Sequence, residues 1–90
     1  MYKISYAKSF KKDFKRLDCT DQEHVLEILQ RLSNNEILEP KYKDHALSGE
    51  LAKYRDCHIK PDLVLIYEKK KDVLILIAMR IDSHSNIFKK

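Results

Sequence analysis

The first part of the chain changes from a two-residue hydrophobic period to a helical one. Residues 2–6 alternate apolar and polar side chains, which predicts a short β-strand. In residues 7–17 the apolar side chains recur every three or four positions, as they do on one face of a helix. These side chains are Phe10, Phe14 and Leu17. A strand followed by a helix is therefore predicted at this end of the chain.

A second helix is predicted from a capping-box pattern that begins at Thr20 and places Glu23 three positions later. Aliphatic residues between positions 25 and 32 give this helix a broad apolar face. Asn34 and Asn35 favour its end. Because only a short link separates the two predicted helices, we expect a helical hairpin.

Three strands are predicted in the second half of the chain, after a long connection. Residues 34–52 have no sustained period, and connections of this length are often functional. Residues 53–59 alternate, while residues 63–67 and 73–79 are apolar runs separated by a charged hairpin loop. The order β-α-α-β-β-β predicts one α+β domain over residues 1–90. Its helical hairpin should pack on one face of a small, mostly antiparallel sheet, leaving the other face open for binding.

Charge is unevenly distributed, although the net formal charge is only +4. Residues 1–17 carry six basic and one acidic side chain, residues 18–50 three basic and eight acidic, and residues 51–90 nine basic and five acidic. A basic face suits an anionic partner such as nucleic acid. Solvated lysines that keep a small domain soluble would give the same distribution, so charge alone leaves both interpretations open.

Several kinds of site and location are disfavoured by the sequence. Residues 73–79 form the longest apolar run, which is too short for a membrane span, and the first residues lack a signal-peptide core. We therefore expect a cytoplasmic protein without a membrane partner. A single glycine excludes a P-loop or a dinucleotide fingerprint, and no CxxC or HxxxH spacing supports a zinc site. Neither a metal nor a cofactor is expected.

Three of the four histidines, His45, His58 and His84, lie outside the predicted helices. Each is in a loop or near a strand end, where functional side chains are usually displayed. Imidazole can accept and donate a proton near neutral pH. Asp62 follows His58 by four residues across a predicted turn, and Arg80 precedes His84 by four. These residues are the candidates for acid–base chemistry.

Metal-free cleavage of RNA needs a base for the 2′-hydroxyl, a cation near the phosphate and an acid for the leaving 5′-oxygen. Two imidazoles, or an imidazole and a carboxylate, can supply these functions together with one guanidinium. Each proton transfer contributes roughly 10²–10⁴-fold, and the electrostatic contribution is comparable or larger. Each candidate also fits a structural role when it is considered alone, so only their convergence in space favours catalysis.

Four motifs cover much of residues 42–88. They are Tyr42-Lys43-Asp44-His45-x-Leu47-x-Gly49, Tyr54-Arg55-Asp56-Cys57-His58-Ile59-Lys60-Pro61-Asp62, Leu65-Ile66-Tyr67 and Arg80-x-x-x-His84-x-x-x-Phe88. Together they resemble the YafQ-type branch of the RelE/ParE toxin superfamily. The resemblance implies a RelE-like fold and the toxin of a type II toxin–antitoxin module. It also implies an mRNA interferase that cuts mRNA in the ribosomal A site and so inhibits translation.

The resemblance further implies a catalytic set, which consists of His45, His58, Asp62, Arg80, His84 and Phe88. His84 would be the general acid, and His58 with Asp62 would supply the base. His45 would assist them or position the substrate.

The remaining implied roles concern binding. Arg80 would face the phosphate and Phe88 would stack on a nucleobase, a contact worth roughly 1–3 kcal/mol. Arg55 is expected to bind substrate, and Lys11 and Lys12 are expected to bind substrate or rRNA. A small acidic antitoxin that wraps the basic surface is the implied protein partner.

One position departs from the family pattern. Asp82 stands where these toxins often have glycine, two residues before the last histidine, and its carboxylate is expected to repel a phosphate near His84. Lys89 and Lys90 are expected to add a phosphate contact.

Two other functions stay open at the level of sequence. A ParE-like relative would share the fold and inhibit a protein target without cutting RNA. The three histidines outside the helices argue against this alternative. A ribonuclease that needs no ribosome is the second alternative, because the modest net charge does not exclude it.

Overall fold

A five-stranded sheet flanked by helices forms the computed structural model, which describes residues 1–88. The strands are β1 (Lys3–Tyr6), β2 (His45–Ala46), β3 (Tyr54–Lys60), β4 (Leu63–Lys70) and β5 (Ile75–Asp82). The helices are α1 (Lys8–Phe14), α2 (Cys19–Ser33) and the short α3 (His84–Ile87), and single 3-10 turns occupy Pro40–Tyr42 and Gly49–Leu51. The spatial order is β1-β5-β4-β3-β2; β1 is parallel to β5 and the other neighbours are antiparallel. The predicted α+β class is confirmed.

One face of the sheet packs against the helices and forms the core. The buried side chains of this core include Cys57, Ile59, Leu63, Leu65, Tyr67, Leu76, Ala78 and Ile81 from the sheet and Phe10, Val25, Ile28, Leu29 and Leu32 from the helices. The four core residues of α2 follow the three- and four-residue spacing of one helical face. The predicted packing of the first two helices, α1 and α2, on one face of the sheet is confirmed.

The opposite face of the sheet is only partly covered. Its centre consists of Val64 and Ile66, which are both buried but do not belong to the helix-side core. The short helix α3 turns back after β5 and contacts both β4 and β5. This face, called the open face below, has an apolar floor with polar side chains around it.

Side chains of α1 complete the edge of the sheet where β1 ends. β1 pairs only with the first half of β5. Further along β5, the Ser9 hydroxyl donates to the Met79 carbonyl at 2.6 Å, and the Asp13 carboxylate accepts from the Ile81 amide at 3.1 Å. Backbone groups that a longer strand would have paired are therefore satisfied by a helix.

The helix boundaries differ from those predicted. α2 begins at Cys19 because Asp18 is its N-cap, and the Asp18 carboxylate accepts from the Asp21 amide at 2.8 Å. The capping box predicted at Thr20 is therefore wrong. α1 ends at Phe14, short of the predicted residue 17. None of the helices within residues 1–88 is long and apolar enough to cross a membrane.

The last hairpin also differs from its prediction. β4 continues through part of the predicted charged loop to Lys70, which pairs with Ile75 at the start of β5. Leu74 has a φ of 55°, so the backbone turns there and the strand cannot begin at residue 73. Backbone pairing with β5 therefore extends β4 into residues whose charged side chains had predicted a loop.

Two short elements were not predicted. β2 has only two residues, too few to produce a recognisable alternation. α3 has no apolar period, so its polar sequence does not predict a helix. A local contact explains it: the Ser83 hydroxyl caps the helix by accepting from the Asn86 amide at 3.2 Å. Both elements carry a histidine of the candidate site.

Candidate active site

Three histidines from three separate segments surround one carboxylate on the open face. His45 on β2 pairs directly with Asp56 on β3, so their side chains share a face. His58 lies two residues further along β3, and its Nε2 atom is 3.4 Å from Asp56 Oδ1. The ring of His84, on α3, is centred 6.0 Å from that of His58. Segments that are distant in sequence thus converge on a single cluster.

Asp56 is the buried centre of this cluster, with 3% of its surface exposed. Within residues 1–88 its Oδ1 atom accepts no hydrogen bond. Burial raises the pKa of Asp56, while the positive charges of His58, His45 and His84 act in the opposite direction. The carboxyl group can therefore exchange a proton with the imidazoles or stabilise their charge.

The prediction of catalytic residues missed Asp56. The signal was present, because the alternation of β3 placed Asp56 and His58 on the same face. Asp56, two residues from His58 on a strand, was therefore as good a candidate partner for His58 as Asp62, which is four residues away across a turn.

The tautomer of His45 is determined by a backbone contact. Its Nδ1 atom lies 2.6 Å from the carbonyl oxygen of Lys43. A carbonyl oxygen can only accept, so Nδ1 carries a proton, and in the neutral ring the lone pair belongs to Nε2. Lys43 adopts a left-handed conformation, with φ 49° and ψ 41°, which brings its carbonyl into this position. His45 itself is exposed, so Nε2 is available to a substrate.

His84 and Phe88 form the C-terminal side of the cluster. Their ring centroids are 4.6 Å apart with an interplanar angle of 40°. His84 is exposed and Phe88 is half-buried, so both can meet a ligand on the open face. Lys89 and Lys90, which were expected to contact phosphate, lie outside the described residues.

Arg80 lies on the same face as Asp56, two strands away. Both residues pair with Ile66, which puts their backbones roughly 10 Å apart at the usual strand spacing. The Arg80 Nε atom donates to Asp13 Oδ2 at 2.6 Å, and this hydrogen bond raises the pKa of Arg80. The side chain is still 37% exposed. Arg80 is thus a tethered cation at the rim of the cluster.

Asp82 is occupied by local contacts. Its Oδ1 atom accepts from the Ser83 amide at 2.8 Å and from Asn86 Nδ2 at 3.1 Å, and its Oδ2 atom is 3.7 Å from Arg80 Nη2. Burial alone would raise the pKa of Asp82, but these hydrogen bonds and nearby positive charges lower it. The carboxylate that was expected to repel a phosphate near His84 is partly compensated and helps to build α3.

Asp62 does not have the predicted position beside His58. It is exposed in the turn between β3 and β4. Within residues 1–88, no hydrogen bond or ion pair joins Asp62 to His58, whose carboxylate neighbour is Asp56. The exposed Asp62 side chain faces solvent at this turn, and its implied role with His58 stays a prediction.

Arg55 lies on the face opposite to the histidines. It pairs with Tyr67, a core residue, and its Nε atom donates to the Tyr67 hydroxyl and to Asp44 Oδ1, both at 3.2 Å. Arg55, which was expected to bind substrate, therefore lies on the other side of the sheet from the histidines, because neighbouring residues on a strand point to opposite faces.

Lys11 and Lys12 are exposed in the last turn of α1. The next residue, Asp13, reaches Arg80, so both lysines lie on the helix that borders the Arg80 side of the sheet. They are not part of the histidine cluster, but they add positive charge on the helix that borders its Arg80 side.

A family model described as "Bacterial toxin of type II toxin-antitoxin system, YafQ" matches residues 2–89. The chain belongs to the YafQ toxin family. The mRNA interferase toxin YafQ of Escherichia coli K12 is 35% identical over 88 residues, which cover 94% of each chain. The resemblance seen in the sequence motifs is confirmed.

Solved structures of YafQ toxins and their relatives have the same fold. A metal-bound toxin from Helicobacter pylori is 39% identical, with a TM-score of 0.86, and the match covers 98% of this chain and 100% of that one. YafQ in the E. coli DinJ–YafQ complex is 30% identical, with a TM-score of 0.79, covering 98% and 99%. Within residues 1–88 of this chain, no group of three or more histidine, cysteine or acidic side chains is arranged to hold a metal ion.

Proposed function

We propose that this YafQ-family toxin is an endoribonuclease that cuts mRNA on the ribosome by acid–base catalysis without a metal ion. The observation that carries the proposal is the convergence of His45, His58 and His84 around Asp56 on the open face. The E. coli relative that is named an mRNA interferase supports the choice of substrate.

His45 is the base in this proposal. Its Nε2 lone pair is free because Nδ1 donates to Lys43, so Nε2 can accept the proton of the 2′-hydroxyl as the 2′-oxygen attacks phosphorus. The family resemblance implied His58 with Asp62 for this step. The assignment moves to His45 because His58 Nε2 faces the carboxylate of Asp56 instead.

His58 and Arg80 stabilise the negative charge that develops on the phosphate oxygens. An imidazolium at His58 is paired with Asp56, and the Arg80 guanidinium is oriented by Asp13. Charges that are already oriented need no reorganisation during the reaction, which makes them effective in catalysis. Asp62 remains in the proposed site as an exposed carboxylate at its rim.

His84 donates a proton to the 5′-oxygen when the bond from phosphorus to that oxygen breaks. The products are a 2′,3′-cyclic phosphate and a free 5′-hydroxyl, and the proton lost by His84 balances the one gained by His45. Phe88 stacks on a base next to the scissile bond, since its ring already lies beside His84.

The basic end of the chain supports an anionic binding surface. Residues 1–17 carry six basic and one acidic side chain, and Lys11 and Lys12 are exposed. In this proposal they contact rRNA and hold the toxin in the A site. The same surface suits an acidic antitoxin, and a YafQ relative forms a complex with the protein DinJ.

The test maps RNA 5′ ends after the toxin is induced. Cleavage is then repeated with purified toxin, with and without ribosomes, comparing untreated toxin with toxin that was treated with EDTA and dialysed before the ribosomes were added. We expect new 5′-hydroxyl ends only on ribosome-bound mRNA, and we expect His84→Ala to abolish them. His24→Gln is the matched control, because His24 lies on α2 and its ring packs against Tyr42 of the first 3-10 turn.

Each other outcome identifies an alternative. Growth inhibition without new RNA ends would indicate a toxin that binds a protein target. Equal cleavage of naked RNA would indicate a ribosome-independent ribonuclease, and cleavage that EDTA abolishes would contradict the metal-free mechanism. A fully toxic His84→Ala variant would show that the site is wrongly assigned.

A further inference from the structure

A second polar cluster lies on the opposite side of the sheet from the histidines. It consists of Tyr67, Asp44 and Arg55 and is called the Asp44 cluster. The Tyr67 hydroxyl donates to Asp44 Oδ1 at 2.6 Å, and Arg55 Nε donates to the same oxygen at 3.2 Å. Arg55 Nε is also 3.2 Å from the Tyr67 hydroxyl. The three side chains therefore form a closed set of hydrogen bonds.

Tyr67 is the rigid part of this cluster. Only 1% of its surface is exposed, and it lies in the middle of β4 within the core. Burial, together with the hydrogen bond to Asp44, raises the pKa of Tyr67, so its hydroxyl is always protonated when the protein is active. A short hydrogen bond from such a donor to a carboxylate is one of the stronger contacts in proteins.

Asp44 immediately precedes His45, and the two side chains point to opposite faces of the sheet. Asp44 reaches the core side, and His45 lies on the open face opposite Asp56. The backbone between them is held by few other contacts. β2 is only two residues long, and Lys43 just before it has the left-handed φ of 49°. The Asp44 side chain is thus a direct link between the segment of His45 and the rigid core.

We infer that the Asp44 cluster positions His45 for catalysis by holding the Lys43–His45 segment against Tyr67. With Asp44 held in place, the Lys43 carbonyl stays 2.6 Å from His45 Nδ1 and the lone pair stays on Nε2. Arg55 and Tyr67 are positioning residues, because they act through His45 and do not touch the substrate. The catalytic consequence rests on the proposed function, but the effect on the His45 ring does not.

The first experiment measures the His45 ring by ¹⁵N NMR in wild type, Tyr67→Phe and Asp44→Asn. In the wild type we expect a single tautomer with the proton on Nδ1. In both variants we expect a mixture of the two tautomers. Tyr2→Phe is the matched control, because Tyr2 is another buried tyrosine near this side of the sheet. Its His45 signals should equal those of the wild type.

The second experiment measures kcat and KM on ribosome-bound mRNA together with the melting temperature. Displacement of a catalytic group by about 1 Å can reduce the rate by about 100-fold, so we expect kcat to fall by roughly 10- to 100-fold in Tyr67→Phe. KM should be unchanged, since the groups that bind RNA are intact. Asp44→Asn keeps the size of the side chain and provides a second folded variant.

A folded Tyr67→Phe variant with the wild-type tautomer of His45 would overturn the inference, whatever its stability. A loss of kcat that accompanies an unchanged His45 ring would also overturn it, because the defect would then be general. If the wild type cuts no RNA while the variants still change the tautomer, the proposed function fails and the positioning role of the Asp44 cluster stands.

Discussion

At the scale of single residues, Asp56 combines burial with an oxygen that accepts no hydrogen bond within residues 1–88. Such a group lowers stability, because water no longer solvates its charge and no donor replaces the water. Buried ionisable groups with shifted pKa values concentrate at functional sites. Asp56 is therefore better explained by its contact with His58 than by any contribution to folding.

The variant Asp56→Asn should be more stable and less active. The pKa of Asp56 is raised in the folded protein, which means that folding favours its protonated form. The stability gained from this protonated form is fully present below about pH 4, the ordinary aspartate range. It is lost as the pH rises through the pKa of the folded protein. We expect a gain of about 1–2 kcal/mol for the variant near pH 8 and none near pH 3. Protonated His58, His45 and His84 offset part of the effect, and the Asp44 carboxylate adds to it, so pH 8 is the informative condition.

Urea unfolding of both proteins at the two pH values measures this difference, and cleavage assays measure the loss of activity. Asp72→Asn is the control, because that carboxylate is exposed in the turn between β4 and β5. A stability gain that is equal at both pH values would contradict burial of a charge as its cause.

The two cysteines should react very differently with thiol reagents. Cys57 is completely buried on β3, and burial raises its pKa to about 12, whereas Cys19 is exposed at the start of α2. We expect one rapidly labelled thiol in the native protein and two after denaturation. Rapid labelling of two thiols in the native protein would show that β3 opens readily.

At the scale of elements, the contact between α1 and β5 connects folding to the site. Asp13 is buried, accepts from the Ile81 amide and orients Arg80 through Nε. One side chain thus closes the sheet edge beyond β1 and positions the cation at the rim of the histidine cluster. Its loss would leave an unpaired backbone amide and a guanidinium without a partner.

The variant Asp13→Ala should lose stability and activity together. Removing one member of a largely buried ion pair costs about 3–5 kcal/mol, and the exposure of Arg80 reduces the expected loss to about 2–3 kcal/mol. Urea unfolding measures the stability, and cleavage at saturating substrate measures the rate. Asp72→Ala, in the exposed hairpin loop, should change neither. Wild-type stability of Asp13→Ala would mean that this contact does not hold the edge.

At the scale of the whole molecule, the helix α1 carries basic side chains and also contacts the Arg80 side of the histidine cluster. Lys11 and Lys12 lie on the helix whose Asp13 reaches Arg80. A long anionic ligand that meets Arg80 and the histidines can therefore continue along α1. The mRNA proposed as substrate would be a ligand of this length.

Reversal of both charges, Lys11→Glu with Lys12→Glu, should weaken ribosome binding. Each phosphate contact that is lost reduces the dependence of log K on log salt by roughly one, so a reduction of roughly two is expected. Binding measured across a salt series tests this expectation. The control reverses Lys70 and Lys71, which lie at the β4–β5 turn. An equal effect of the two pairs would indicate net charge and not the surface of α1.

Local patterns in the sequence determined most of the elements and the face of each residue. The apolar spacing in α2 and the alternation of β3 are properties of residues a few positions apart, and they specify which side chains face the core. The alternation of β3 also separated Arg55 from His58, although the prediction grouped both residues at the substrate. The motifs indicated the family and included the three histidines of the candidate site.

Tertiary structure decided which of the possible carboxylate contacts form in the site. Asp56 and not Asp62 lies beside His58, Asp13 orients Arg80 across 67 positions of sequence, and Asp44 ties the segment of His45 to Tyr67. Strand register and the direction of a turn set these contacts, and both depend on the packing of the whole sheet. Short elements such as β2 and α3 carry too few residues for a pattern, so their positions also followed from packing and capping and not from periodicity.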